Sequence, residues 1–189
     1  MLPTATPTPA RRSTPDPGPR NAVTPVPTPG PAEPAEWLKD LARARGLNPE
    51  GDYIIVDQDH QQMHLVRNGI EERVLKISTG DPARGWDTPA WFGVVGEYWG
   101  TFRGQGGVRA DHGWWLFERG GNYLIHGLPY KLDAQGNKHY KGWDDLGETP
   151  ASRGCIRLAP EDAAWFTEWE PEGVPIIILP YSAKARVQG

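Results

Sequence analysis

The sequence predicts a mainly β fold, a β-sandwich or partly open barrel, with a short N-terminal helix and one further helix late in the chain. Three observations predict it. From Tyr53 onward, short runs rich in Val, Ile, Tyr, Trp and Phe recur between Gly-containing loops. Only two segments carry apolar residues at helical spacing. The longest strongly apolar run, Val174 to Leu179, has the length of a strand and falls far short of the about 20 residues that a spanning helix needs.

Residues 1–35 are rich in Pro and Thr (TPTP, STPDPGP, TPVPTPGP) and nearly devoid of large apolar side chains. Such a segment buries too little surface to offset its ordering entropy, so a disordered linker is expected. In polyproline II, at about 3.1 Å per residue, it would reach roughly 100 Å, which suits a spacer between a domain and an anchor. Met1-Leu2-Pro3 leads straight into Pro and Thr, without the basic start and apolar stretch of a signal peptide. Export would therefore rely on a signal or anchor that is not visible here, and membrane contact on a segment outside this chain.

Residues 36–49 form a short helical lead-in. In EWLKDLARAR, Trp37, Leu38 and Leu41 fall at helical spacing; Gly46 stops the run and Pro49 prevents its resumption. A folded domain over 50–181 follows, and 182–189 read as a C-terminal tail. YIIVD and MHLVR are two strands around a polar turn at Asp57 to Gln62, and RNG opens a turn before EERVLKIS. WFGVVGEYW, GWWLFER and YLIHG read as further strands. PEDAAWFTEW reads as the late helix, with Pro160 in its first turn and Glu161 and Asp162 complementing its dipole. PIIIL closes the domain as a buried strand. Short strands with one late helix argue for a sandwich or open barrel.

A net charge of −4 offers no electrostatic footprint for nucleic acid or an anionic membrane. With one cysteine, Cys155, the chain forms no intrachain disulfide and no thiolate-rich metal site. Arg153 and Arg157 flank that cysteine at two residues on either side. Cationic neighbours lower a thiol's pKa and an adjacent base takes its proton, which together make a nucleophile. Gly154 lets a substrate carbonyl approach the backbone, and the N–H groups of Gly154 and Cys155 are candidates for an oxyanion hole. His126 ends the apolar run Tyr123-Leu124-Ile125 and is followed by Gly127. A base held at a strand end is rigidly placed. Taken singly, each feature has a structural explanation.

Together, IHG and the downstream SRGCIRL resemble the signature of YkuD-type L,D-transpeptidases, in which a His-Gly precedes a Ser/Thr-(His, Lys or Arg)-Gly-Cys-x-(Asn or Arg) motif. The resemblance extends to Ile54 to Asp57 and Met63 to Gly69, similar to the family's opening hairpin. It extends also to Ile77-Ser78-Thr79-Gly80, to Thr88-Pro89, and to Leu158 through Leu179. It covers roughly Asp52 to Leu179. It implies a YkuD-like β domain with its helix after the catalytic cysteine loop, acting in the bacterial cell envelope on peptidoglycan stem peptides. Cys155 would attack a tetrapeptide stem, release the terminal D-amino acid and pass the acyl group from a thioester to an amine, with His126 as base. Ser152, Arg153, Arg157 and Gly127 would support the loop or bind substrate. The resemblance implies no cofactor or metal, and it implies acylation of the same cysteine by carbapenem-like β-lactams. Water as acceptor would make the protein an L,D-carboxypeptidase, and loss of the chemistry would leave a wall-binding module.

Three departures stand out. The gap from His126 to Cys155 exceeds the family's usual spacing, and Pro129 to Trp143 (PYKLDAQGNKHYKGW) reads as an inserted polar loop that shapes a cleft. It carries a rival base, His139, disfavoured because a mobile stretch places a base poorly. Arg153 stands where many members have His; an arginine stabilises a thiolate or binds a carboxylate but does not deprotonate. Thr88 to Gly93 only partly matches Thr-Pro-x-Gly-x-Phe. Among other residues, Trp114, Trp115 and Trp165 are expected in the core, whereas Trp86, Trp91, Trp99 and Trp143 are candidate substrate contacts. His60 and His64 lack a third ligand nearby in sequence. Tyr130 and Asp144 lie near the insert and carry no further signal.

Overall fold

The computed structural model describes residues 31–182. The linker expected at 1–35 lies outside the described residues up to position 30, as does the tail beyond Ser182. Among the described residues, eleven strands join into one open sheet and two α-helices pack on it.

α1 (Glu36–Ala44) buries Leu38 and Ala42, and Gly46 at φ +73° closes it, with the Leu47 N–H donating to the Ala42 carbonyl. Those side chains meet Tyr53 and Ile55 of β1 (Tyr53–Asp57) and Ile177 of β11 (Pro175–Ile178). Alternation sends Ile54, Val56, Ile176 and Ile178 to the opposite face, into the main core. β1 is thus covered on both faces, which is why YIIV reads as a continuous apolar run. β1 and β11 run parallel, Ile54 opposite Ile176. β2 (Gln62–Arg67) continues antiparallel from β1.

β3 (Ile70–Ser78) joins the two halves of the sheet. It pairs with β2 as far as Lys76, and its last residues, Ile77 and Ser78, pair with β10 (Ile156–Leu158). β10 lies between β3 and β7 (Asn122–Gly127), parallel to β7. β6 (Arg109–Glu118) and β5 (Tyr98–Arg103) extend that half. One core fills the space between the halves: Met63, Leu65 and Leu75 meet Trp114, Ile125 and Ile156 there. α2 (Pro160–Glu168) adds Ala163 and Phe166, followed by Trp169. The result is a folded-over open sheet around one core, as the strand pattern predicts.

Two expectations need correction. WFGVVGEYW is not one strand. β4 (Trp91–Val94) pairs with β11 at one edge, whereas β5 pairs with β6 in the other half. Gly96 separates them; a Cβ there would meet the Trp115 ring at 2.6 Å, so the chain turns where only glycine fits. The segment 129–143 is not a plain loop either. It contains the hairpin β8 (Tyr130–Leu132) and β9 (Lys138–Tyr140), attached to β6 by the pairing of Tyr130 with Arg109. The Asp133 carboxylate organises its turn by accepting from the Gln135 and Asn137 N–H groups.

Candidate active site

Strand register brings the central residues together. β10 and β7 pair with Ile156 opposite Ile125 and Arg157 opposite His126. The isoleucines face the core, so alternation puts Arg157 and His126 side by side on the outer face, with Cys155 at the entry to β10 on that same face. Arg157 also lies opposite Ser78 of β3. This outer face is covered in turn. Leu128, Leu146 and Ala159, with Tyr140 of β9 against them, form a small apolar cluster beside it. Phe102 of β5 sets its ring edge-on to His126 at 5.2 Å. Gly113 makes room, since a Cβ there would come within 2.8 Å of the Phe102 ring.

His126 is buried, and its Nδ1 lies 2.6 Å from the Gly127 carbonyl. A carbonyl only accepts, so Nδ1 carries the proton and Nε2 keeps a lone pair. Burial pushes the imidazole pKa down to about 4; the Gly127 bond opposes this and the Arg157 charge reinforces it. The ring is therefore neutral at neutral pH. Cys155 Sγ lies 3.8 Å from the Asn122 carbonyl oxygen. Burial pushes the thiol up, against a hydrogen bond to the Leu124 backbone and the Arg157 guanidinium, which both favour the thiolate. The expectation that flanking arginines lower this thiol's pKa is thus reversed: desolvation outweighs the cation. The Arg153 guanidinium lies 4.9 Å from the Trp86 ring centroid.

The loop before Cys155 is tied down at almost every residue. Ser152 Oγ accepts from the Gly154 N–H at 2.9 Å and donates to the Cys155 carbonyl at 2.5 Å. The Gly154 N–H is therefore engaged within the loop, whereas the Cys155 N–H has no acceptor among the described residues. Gly154 has φ +119°, and a Cβ would stand 2.6 Å from the Tyr123 ring. Its carbonyl accepts from Thr88 Oγ1 at 2.7 Å. Arg157 donates to the Ala151 carbonyl at 3.3 Å and approaches the end of the insert at Gly142.

Behind the loop lies a buried polar network that sequence reasoning missed in part. Thr79 and Thr88 fall in recognisable segments, but Gln58 and Gln61, inside the polar turn after β1, carry no distinguishing signal. All four are at most 3% exposed. Gln61 donates to Thr79 Oγ1 and accepts from the Thr79 N–H, and the Thr79 carbonyl takes the N–H groups of Ala151 and Ser152. Gln58 donates to the carbonyls of Thr88 and Leu179.

Other expected residues have structural partners. His139 is in β9, its Nε2 3.0 Å from Asp133 in the hairpin turn, so it is ordered and outside the Cys155 loop. His60 pairs with Asp57 and His64 with Glu71; among the described residues no group of three or more His, Cys, Asp or Glu is arranged to hold a metal. Trp91 packs on Phe117 against the core, not in a cleft. Trp115 is half-buried and outside the core cluster. Trp99 donates to Glu97, whereas Trp86 and Trp143 are exposed near the site. Tyr130 donates to Asp111. Asp144 opens a short 3-10 turn with Trp143.

Residues 51–178 match the family model YkuD, described as the L,D-transpeptidase catalytic domain. The chain belongs to this family. The chain is 30% identical over 128 residues to the protein named "Putative L,D-transpeptidase YciB" of Bacillus subtilis (strain 168), covering 67% of this chain and 64% of YciB. The fold is similar to an L,D-transpeptidase from Mycobacterium tuberculosis H37Rv, with a TM-score of 0.54 and 21% identity, covering 69% of this chain and 58% of that one. It is similar also to LD transpeptidase LdtMt1 solved in complex with imipenem, with a TM-score of 0.53, 21% identity, and 68% and 60% coverage. The match thus spans less than two thirds of each relative's length. Among the described residues no helix is long and apolar enough to cross a membrane.

Proposed function

We propose that this YkuD domain is an L,D-transpeptidase of the cell envelope, in which Cys155 is acylated by a peptidoglycan tetrapeptide stem and His126 moves the protons. The observation that carries the reading is the β7–β10 register, which sets a neutral histidine of fixed tautomer beside the strand that the cysteine enters. Sγ attacks the carbonyl of the L-centre residue as Nε2 of His126 takes the thiol proton. Thiol and imidazole are both neutral at rest, so the proton moves during attack and not before it. The Cys155 N–H donates to the oxygen that becomes negative. Collapse breaks the peptide bond, the terminal D-amino acid leaves with the proton from His126, and a thioester remains. An amine of a second stem then attacks the thioester, gives its proton to His126, and the thiol is restored. Arg157, half-buried and close enough to act on both groups, keeps a positive charge near the developing anion and braces the loop through Ala151. The scheme uses no cofactor.

Intact-protein mass spectrometry tests this on wild type, Cys155→Ala and His126→Ala, each incubated with a tetrapeptide stem and, separately, with imipenem. An adduct on wild type, absent from Cys155→Ala and formed at least ~100-fold more slowly by His126→Ala, is the expected result. Dimeric products then identify an amine acceptor; tripeptide alone would make water the acceptor. A folded wild type that forms no adduct with either reagent would end the proposal.

A further inference from the structure

We propose that Thr88 is a positioning residue of the active site: by holding the Gly154 carbonyl in the interior, it aims the Cys155 N–H outward at the oxygen of a carbonyl under attack. This rests on the acyl-transfer reading of Cys155. Thr88 Oγ1 lies 2.7 Å from the Gly154 oxygen and 2.8 Å from the Gly80 nitrogen. The Gly80 N–H only donates, so the hydroxyl accepts from it and its own proton goes to the Gly154 carbonyl. Both partners are satisfied and the hydroxyl rotor is fixed. Peptide bonds among the described residues are all trans. In a planar trans peptide the C=O and the following N–H point in opposite directions. A Gly154 oxygen held inward by buried Thr88 therefore turns the Cys155 N–H away from the interior.

The neighbouring bonds support this division of labour. The Gly154 N–H is already taken by Ser152 Oγ, so the next peptide supplies the donor. Thr88 itself has little freedom. Its carbonyl accepts from buried Gln58, and Gly80 beside it tolerates no Cβ, which would fall 2.0 Å from the Trp86 carbonyl oxygen. Gly154 at φ +119° keeps this peptide orientation without the cost that a side chain would bring. Thr88 touches neither substrate nor the reacting sulfur; it acts through one peptide plane.

Because Cys155 is the chain's one cysteine, two reagents separate this role from loop stability. Imipenem acylation passes through an oxyanion; alkylation by iodoacetamide displaces iodide at carbon and forms none. Rate constants for both are measured by intact mass on wild type, Thr88→Val and Thr88→Ser. Thr88→Val keeps the shape and removes the hydroxyl. It is expected to acylate roughly 100-fold more slowly, as when an oxyanion donor is lost, while alkylating at the wild-type rate. Thr88→Ser is expected to recover most of the acylation. If Thr88→Val does not fold, Thr88→Ala carries the same comparison. Acylation of the hydroxyl-free variant at the wild-type rate, or equal slowing of both reactions, overturns the proposal while leaving the acyl-transfer reading standing. A wild type that alkylates but never acylates would overturn both.

Discussion

His126 is governed by competing effects of known sign. Burial favours the neutral ring, with Phe102 set edge-on to it, the Gly127 carbonyl favours the charged one, and Arg157 repels a second positive charge. Burial wins and holds the folded pKa near 4, against about 6.5 in an unfolded chain. Between these values the unfolded chain binds the proton and the folded chain does not. The stabilisation is therefore full above about pH 6.5 and is lost as pH falls toward 4, by up to about 3 kcal/mol. His126→Gln keeps a donor for the Gly127 carbonyl but cannot titrate. Urea denaturation at pH 7 and pH 4.5 should show wild type losing about 2–3 kcal/mol more than this variant. Equal losses would mean that the ring titrates normally. The same argument applies to Cys155: its motif neighbours are cationic, yet desolvation sets the direction of its shift.

The hairpin β8–β9 belongs to the next scale. It lies in the segment between the histidine and cysteine strands, and its Tyr140 packs against the apolar cluster of Leu128, Leu146 and Ala159. Asp111 of β6 anchors it, accepting from Lys138 at 2.5 Å and Tyr130 at 2.8 Å, with Thr101 of β5 as a third donor. Burial alone would raise the Asp111 pKa, but these hydrogen bonds outweigh it and hold the carboxyl below its usual value. Asp111→Asn removes the charge and breaks the ion pair. Its expected effect is local: faster amide exchange across residues 129–146, with protection in β1, β2 and β11 unchanged. Hydrogen exchange by mass spectrometry checks this; uniform loss of protection would show the hairpin to be part of the cooperative core.

Across the whole molecule, α1 adds a second apolar layer behind β1 and β11. Leu38 is 0% exposed and sits among Tyr53, Ile55, Val66 and Ile177. Leu38→Ala leaves a cavity in that layer and should cost about 2–5 kcal/mol, with Cys155 acylation unchanged in the folded fraction. Chemical denaturation paired with the imipenem rate constant tests both halves of that expectation. A stability loss below about 1 kcal/mol would mean that α1 is a loosely attached lead-in, as its position before the family match at residue 51 would allow.

The sequence by itself determined the strand-rich class, both helices to within a residue or so, and the candidate pair His126 and Cys155. Those features depend on local signals: side-chain periodicity, helix stops, and a short motif around one cysteine. Tertiary structure decided the rest. WFGVVGEYW split across the two halves because Gly96 has no room for a side chain, a constraint set by Trp115 from another strand. The insert became a hairpin because Asp111, about twenty residues earlier, receives its lysine and tyrosine. Gln58 and Gln61 were silent in the sequence because a buried amide clamp is defined by its partners, Thr79 and Thr88, which lie 18 and 30 residues away along the chain. The protonation of the site followed the same rule: charge near Cys155 is visible in sequence, whereas exclusion of water appears only once the sheet has folded over its core.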